Sequence, residues 1–276
     1  MRSNYFISLK ITLIGIFLLI GAGPLDFIWH STFGLDGLLS PPHLILISGM
    51  FLSSLGGMIG ISKYLQINRT KNNVSYLSVL SVLPFWLSGS GIVSSLSLPF
   101  SNTDYFTFNP DPIVGFLIAS LAFPFLISLS AFLVFGLSNF RFGSIALLGG
   151  IFLTISGFTA IIPNFAIFDS LLFYCLNLIP FVLSDIVLLF SKSRKSMMFV
   201  GGLLGSLFYM VYYPYVVYTF NELLLGKLVS PSLIYFVYFE LIEEVLIFTL
   251  GPAILMGIFA SLLSVKLCKK IVITKT

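Results

Sequence analysis

The feature that most constrains this chain is a regular succession of apolar blocks cut apart by short polar breaks. The blocks cover 7–27, 42–62, 74–98, 113–135, 143–163, 168–190, 197–219 and 232–265. A helix rises 1.5 Å per residue, so about 20 residues cross a hydrocarbon core ~30 Å thick. Each of the first seven blocks is long enough. Lipid offers the backbone no hydrogen bonds, and a continuous helix satisfies every peptide group within its own segment. The expected fold is an all-α, polytopic transmembrane helical bundle of about eight spans, with residues 1–276 forming a single integral membrane domain. Only 9% of the residues are charged, against about 25% in soluble domains. A separate water-facing domain has no room.

The few charges orient the chain. The break after the second block carries Lys63, Arg69 and Lys71, and the break after the fourth carries Arg141. Lys192, Arg194 and Lys195 follow the sixth block, and Lys266, Lys269, Lys270 and Lys275 follow the last. The breaks after the first, third and fifth blocks carry neither Lys nor Arg, and the one after the seventh has only Lys227, opposed by Glu222. Basic loops stay in the cytoplasm, so both termini are expected there, in a multi-pass protein of the cell membrane. The net charge of +4 is then orienting charge. No basic stripe interleaved with aromatics points to nucleic acid. The expected partners are the lipid bilayer and other membrane subunits.

Several details follow from the blocks. Pro84, Pro124, Pro180 and Pro214 are tolerable inside membrane helices. Gly201, Gly202 and Gly205 favour close helix packing. Tyr212, Tyr213, Tyr215 and Tyr218 read as an interfacial aromatic belt at the outer end of the seventh span. The last block would reach ~50 Å as one helix, which suggests a kink near Gly251-Pro252 or a re-entrant piece. Arg2, Lys10 and the apolar run to Gly21-Ala22-Gly23 have the look of a signal peptide; we read them as a retained first helix. Cys175 and Cys268 form neither a disulfide framework nor a CxxC site. Asp185 is expected to pair with the Lys192–Lys195 cluster, and Asp111 to sit in a turn.

The chemistry-bearing residues lie at the outer end of the first helical pair. The chain has only two histidines, His30 and His43. Asp26 precedes His30 by four residues, so the two share a helix face. Ser40 is expected to be an N-cap, with Pro41 at the first position of the next helix. That turn would fold His43 back against the first span. Two imidazoles and a carboxylate suit a first-row transition metal and leave positions open for water, oxygen or substrate. The plainer alternative is a hydrogen-bonded Asp26–His30 pair at a wet helix end, with His43 an interfacial residue.

This stretch resembles the copper-site segment of the C subunit of the copper membrane monooxygenases, the particulate methane and ammonia monooxygenase family. That segment has an aspartate, a histidine four residues on and a second histidine thirteen residues after that, with a turn containing proline before it. Asp26, His30 and His43 keep both intervals, Ser40-Pro41-Pro42 stands at the turn, and Trp29 before the first histidine also fits. The resemblance covers about 25 residues. It implies that the three residues bind copper and that the chain belongs to an oxygenase acting on a small apolar substrate or ammonia; zinc and iron are the alternatives that the donor chemistry leaves open. Phe27, Trp29, Phe33 and Ser40 would then support the ligands or line the substrate pocket. Two departures stand out. Without a third histidine, the neighbouring copper site of some members cannot be built here, and eight spans exceed the number usual for that subunit. No haem, flavin or iron–sulfur motif supplies electrons.

Glu240, Glu243 and Glu244 share one face of the last block. Carboxylates within a span are costly unless hydrated, protonated or paired. They suggest a proton path, a second metal site or support for the first one; an acidic face lying among lipid headgroups is equally open. Two other functions therefore stand beside the oxygenase reading. One is a transporter or ion-conducting protein that uses these carboxylates. The other is a non-enzymatic membrane subunit whose metal is structural.

Overall fold

The computed structural model describes residues 2–34, 39–67, 74–98, 110–161, 171–225 and 231–273. Eight helices succeed one another: α1 (Arg2–Phe33), α2 (Pro41–Ile67), α3 (Val74–Ser97), α4 (Pro112–Leu137), α5 (Ser144–Ser156), α6 (Leu171–Phe190), α7 (Arg194–Leu225) and α8 (Pro231–Ile273). There is no strand among the described residues. Seven of these helices are long and apolar enough to cross a membrane. The remaining one, α5, continues through a wider π turn at Gly157–Ile161, and its apolar stretch, Ser144–Thr159, is shorter than the others. The rest of the fifth block, 162–163, lies outside the described residues, as do Arg69, Lys71, Lys227 and Lys275. The last block is one unbroken helix of 43 residues with Pro252 inside it; among its residues with described side chains, Glu240–Cys268 is long and apolar enough to cross.

Local chemistry explains where helices begin. Asp111 does more than sit in a turn: its Oδ1 accepts the N–H groups of Ile113 at 3.0 Å and Val114 at 3.1 Å. It caps α4 ahead of Pro112, whose missing N–H costs nothing at a first position. Ser193 plays the same part for α7, accepting the N–H of Ser196 at 3.1 Å. Asp185 departs from expectation. It is buried on α6, and its Oδ2 accepts the N–H of Ala146 at 2.7 Å. It thus caps α5 from a neighbouring helix and does not bridge to the lysines. The unsatisfied N–H groups of a helix start are the stronger claim on a buried carboxylate.

The core lies between α3, α4, α5, α6 and α7. Trp86 stacks on Phe152 with ring centroids 3.7 Å apart, and Phe208 on Tyr212 at 4.5 Å. Tyr212, Tyr213 and Tyr215 are buried in this core and form no interfacial belt; the side chain of Tyr218 lies outside the described residues. Tyr209 shares a hydrogen bond of 3.1 Å with Thr249 of α8. The α7–α8 seam uses the expected small residues. A Cβ on Gly205 would stand 3.2 Å from the Cα of Gly257, so α8 packs almost backbone to backbone on α7.

Helices α1 and α2 form a hairpin at the edge of the bundle. They pack on each other along their length and touch the rest chiefly through α3. Their shared seam is made of small residues. Ser8 donates to the carbonyl of Gly56 at 2.7 Å. A Cβ on Gly49 would lie 2.9 Å from the Gly15 carbonyl oxygen. Both helices are otherwise widely exposed, with Phe17 and Ile20 more than two-thirds uncovered at 77% and 71%. Lipid, being as apolar as these side chains, can face them without cost.

Candidate metal centre

The site is built at the open end of the α1–α2 hairpin. The first block was expected to end at residue 27, but α1 runs to Phe33, which carries Asp26 and His30 on helical geometry one turn apart. Gly34 ends the helix. Its φ is +78°, a left-handed conformation that side chains disfavour and glycine accepts readily. Its N–H closes the final turn on the His30 carbonyl at 3.0 Å, as a C-terminal glycine cap does. The same residue turns its own carbonyl toward the His30 ring, where Nδ1 lies 3.0 Å from the Gly34 oxygen. A carbonyl can only accept, so Nδ1 carries a proton, and in the neutral ring Nε2 is the nitrogen with the free lone pair.

His43 arrives on the third residue of α2, which starts at Pro41. Ser40 occupies the N-cap position as expected, and its carbonyl accepts the Leu44 N–H at 3.0 Å. Its side chain does not cap. Ser40 Oγ is buried and makes no hydrogen bond among the described residues; Pro42, at the second helical position, has no N–H to give it.

Three ligand atoms converge. The Nε2 atoms of His30 and His43 each lie 3.6 Å from Oδ1 of Asp26. The two imidazole centroids are 5.1 Å apart, and one ligand atom from each residue lies within 4.8 Å of the others. A separation of 3.6 Å is too long for a hydrogen bond. Asp26 Oδ1 is itself buried and has no hydrogen bond among the described residues. Neighbouring ligands of a tetrahedral ion with bonds of ~2.0–2.1 Å stand ~3.4 Å apart, close to both measured edges. The donor set is of the kind that holds a transition metal. The side chains are about one-fifth exposed, at 20% and 21%, so an ion could enter from the surface.

The other expected residues fall differently. Trp29 packs on Phe33 with centroids 4.7 Å apart, giving the end of α1 an aromatic flank. Phe27 is 74% exposed and faces away from the hairpin. Glu240, Glu243 and Glu244 are exposed on α8 and do not join the group. They lie on α8 alongside the exposed Ile247 and Phe248. Among the described residues, no other set of His, Cys, Asp and Glu side chains converges in this way.

Two contributors were not anticipated. Gly34 orients His30, and the run of small residues along α1 and α2 brings Asp26 within reach of His43. Glycines recurring on one face, at 49, 56 and 60 of α2, were the available signal for the second. Set against known protein families, characterised proteins and solved structures, the chain matches none.

Proposed function

We propose that this chain is a multi-pass membrane protein that binds copper through Asp26, His30 and His43. The observation that carries the reading is the approach of two imidazole Nε2 atoms to a single buried carboxylate oxygen, each at 3.6 Å. The resemblance of this segment to the C subunit of the copper membrane monooxygenases supports copper over zinc and iron. It also supports a role as an oxygenase subunit acting on a small apolar substrate or ammonia within a larger complex. Three protein ligands leave coordination positions open, as a site that works on substrate requires.

Bound copper would supply one-electron chemistry toward dioxygen. The chain's own residues do the rest. The Gly34 carbonyl holds the His30 ring in the tautomer that presents Nε2. Asp26 brings the negative charge that balances a cation beside lipid. Trp29 and Phe33 keep one side of the site apolar, and electrons come from a partner. In orientation, we place both termini in the cytoplasm and count α5 as an eighth crossing. Phe140, Lys192 and Lys266, from the breaks after the fourth, sixth and last blocks, line one pocket, which supports that alternation.

Metal analysis of the purified protein after loading with copper, zinc or ferrous iron tests the reading. One copper per chain, lost in His30→Ala and His43→Ala, is the expected result. A folded protein that takes up no metal would sink it. Copper that binds yet does not change oxidation state with ascorbate and oxygen would leave the structural role instead. Glu240, Glu243 and Glu244, exposed and not converging, give the conduction reading no comparable support.

A further inference from the structure

A second site lies far along the chain from the histidines, where the breaks between helices gather. Lys192, Arg194 and Lys266 line a pocket of about 620 Å³ together with Met197, Phe259 and Leu263. All three cations are exposed, and no carboxylate pairs with them among the described residues. Lys192 is anchored: its Nζ donates to the Phe140 carbonyl at 2.9 Å. That carbonyl is presented by a tight α4–α5 turn in which Asn139 and Phe140 both have positive φ, +57° and +59°. The anchored ammonium keeps two further protons for a ligand. Arg194 is the first residue of α7, so the positive end of that helix's dipole lies at the same rim.

The pocket has two levels. Lys192 lies in the break between α6 and α7, and Lys266 is the first charged residue after the long apolar run of α8. Basic residues that close apolar runs are placed by the positive-inside pattern at the headgroups. Phe259 is seven residues earlier on α8, roughly 10 Å deeper along the axis, and is exposed together with Phe140. A wall that is cationic at the interface and apolar below it matches an anionic lipid. A phosphate headgroup would accept from the ammonium and guanidinium groups, and a chain would lie along Phe259, Leu263 and Met197. A free anion would have no use for the apolar wall. We infer that this pocket binds an anionic phospholipid, with its phosphodiester on Lys192, Arg194 and Lys266.

The test is lipid retention by the purified full chain, read by native mass spectrometry from micelles holding equal phosphatidylglycerol and phosphatidylcholine. Each cation near an anionic headgroup contributes about fivefold. Phosphatidylglycerol should be retained at least about fivefold over phosphatidylcholine. That preference should vanish in the Lys192→Gln, Arg194→Gln, Lys266→Gln triple variant and persist in Arg141→Gln, which alters a cation outside the pocket. Should the triple variant aggregate, Lys266→Gln alone carries the test with a loss of about fivefold. Equal retention of both lipids by the wild type overturns the inference, as does an unchanged preference in the pocket variants. An equal loss in Arg141→Gln would show diffuse surface charge, and displacement of the lipid by inorganic phosphate would show a free-anion site. Either also overturns it.

Discussion

The Nδ1 atom of His30 lies 3.0 Å from the carbonyl oxygen of Gly34, so one residue both ends α1 and fixes which ring nitrogen donates to the backbone. The helix stops because Gly34 takes a φ of +78°. Gly34→Ala must adopt that conformation at a cost of about 1 kcal/mol or move the carbonyl off the ring. We expect helix content to hold and copper affinity to fall by ~10–100-fold, the usual consequence of losing a group that orients a metal-bound imidazole. Competition titration against a chelator of known affinity measures it.

Acid should release the metal. Imidazole and carboxylate bind metal only when deprotonated, so binding displaces protons and weakens as pH falls. Apparent affinity for copper should therefore drop continuously on acidification and recover on returning to neutral pH. Affinity that is flat with pH would argue that the histidines are not the ligands.

The α1–α2 seam sets the distance between Asp26 and His43. A Cβ on Gly56 would come within 2.6 Å of the Thr12 backbone nitrogen. Gly56→Val must push the helices apart, at about 1–3 kcal/mol of overpacking strain. The core of α3 to α7 does not depend on this contact, so the protein should remain folded and monodisperse while losing most of its metal. Metal content and circular dichroism of the same sample separate the two effects.

Asp185 should matter for stability and not for metal. Asp185→Ala leaves the Ala146 N–H at the start of α5 without its acceptor, at about 1–2 kcal/mol. Asp185→Asn keeps an oxygen in place and should cost less. Thermal unfolding in detergent ranks the two variants, and copper stoichiometry should be unchanged in both.

The glutamates supply a negative control. Glu240, Glu243 and Glu244 are exposed on α8 and do not converge with Asp26, His30 and His43. Glu243→Gln and Glu244→Gln should retain full copper stoichiometry with affinity within about twofold. A drop like that of a histidine variant would place them at the site after all.

The sequence by itself determined the helices and two of the three residues that converge, Asp26 and His30. Lipid leaves the backbone no partner but itself, so apolar runs of bilayer length had to be helical, and each helix falls close to its block. The pairing of Asp26 with His30 is likewise local, set by the helical repeat along one segment. What only the tertiary structure decided is how the helices face one another. These helices are apolar on nearly every side, so no polar stripe marks which face meets protein and which meets lipid. Tyr212, Tyr213 and Tyr215 could look like a belt and yet form the core. Asp185 could look toward lysines and yet cap α5. His43 could have pointed into lipid. Its approach to Asp26 depends on glycines that let α1 and α2 touch backbone to backbone, and such contact rests on the shapes of two surfaces, which no repeat along one segment encodes.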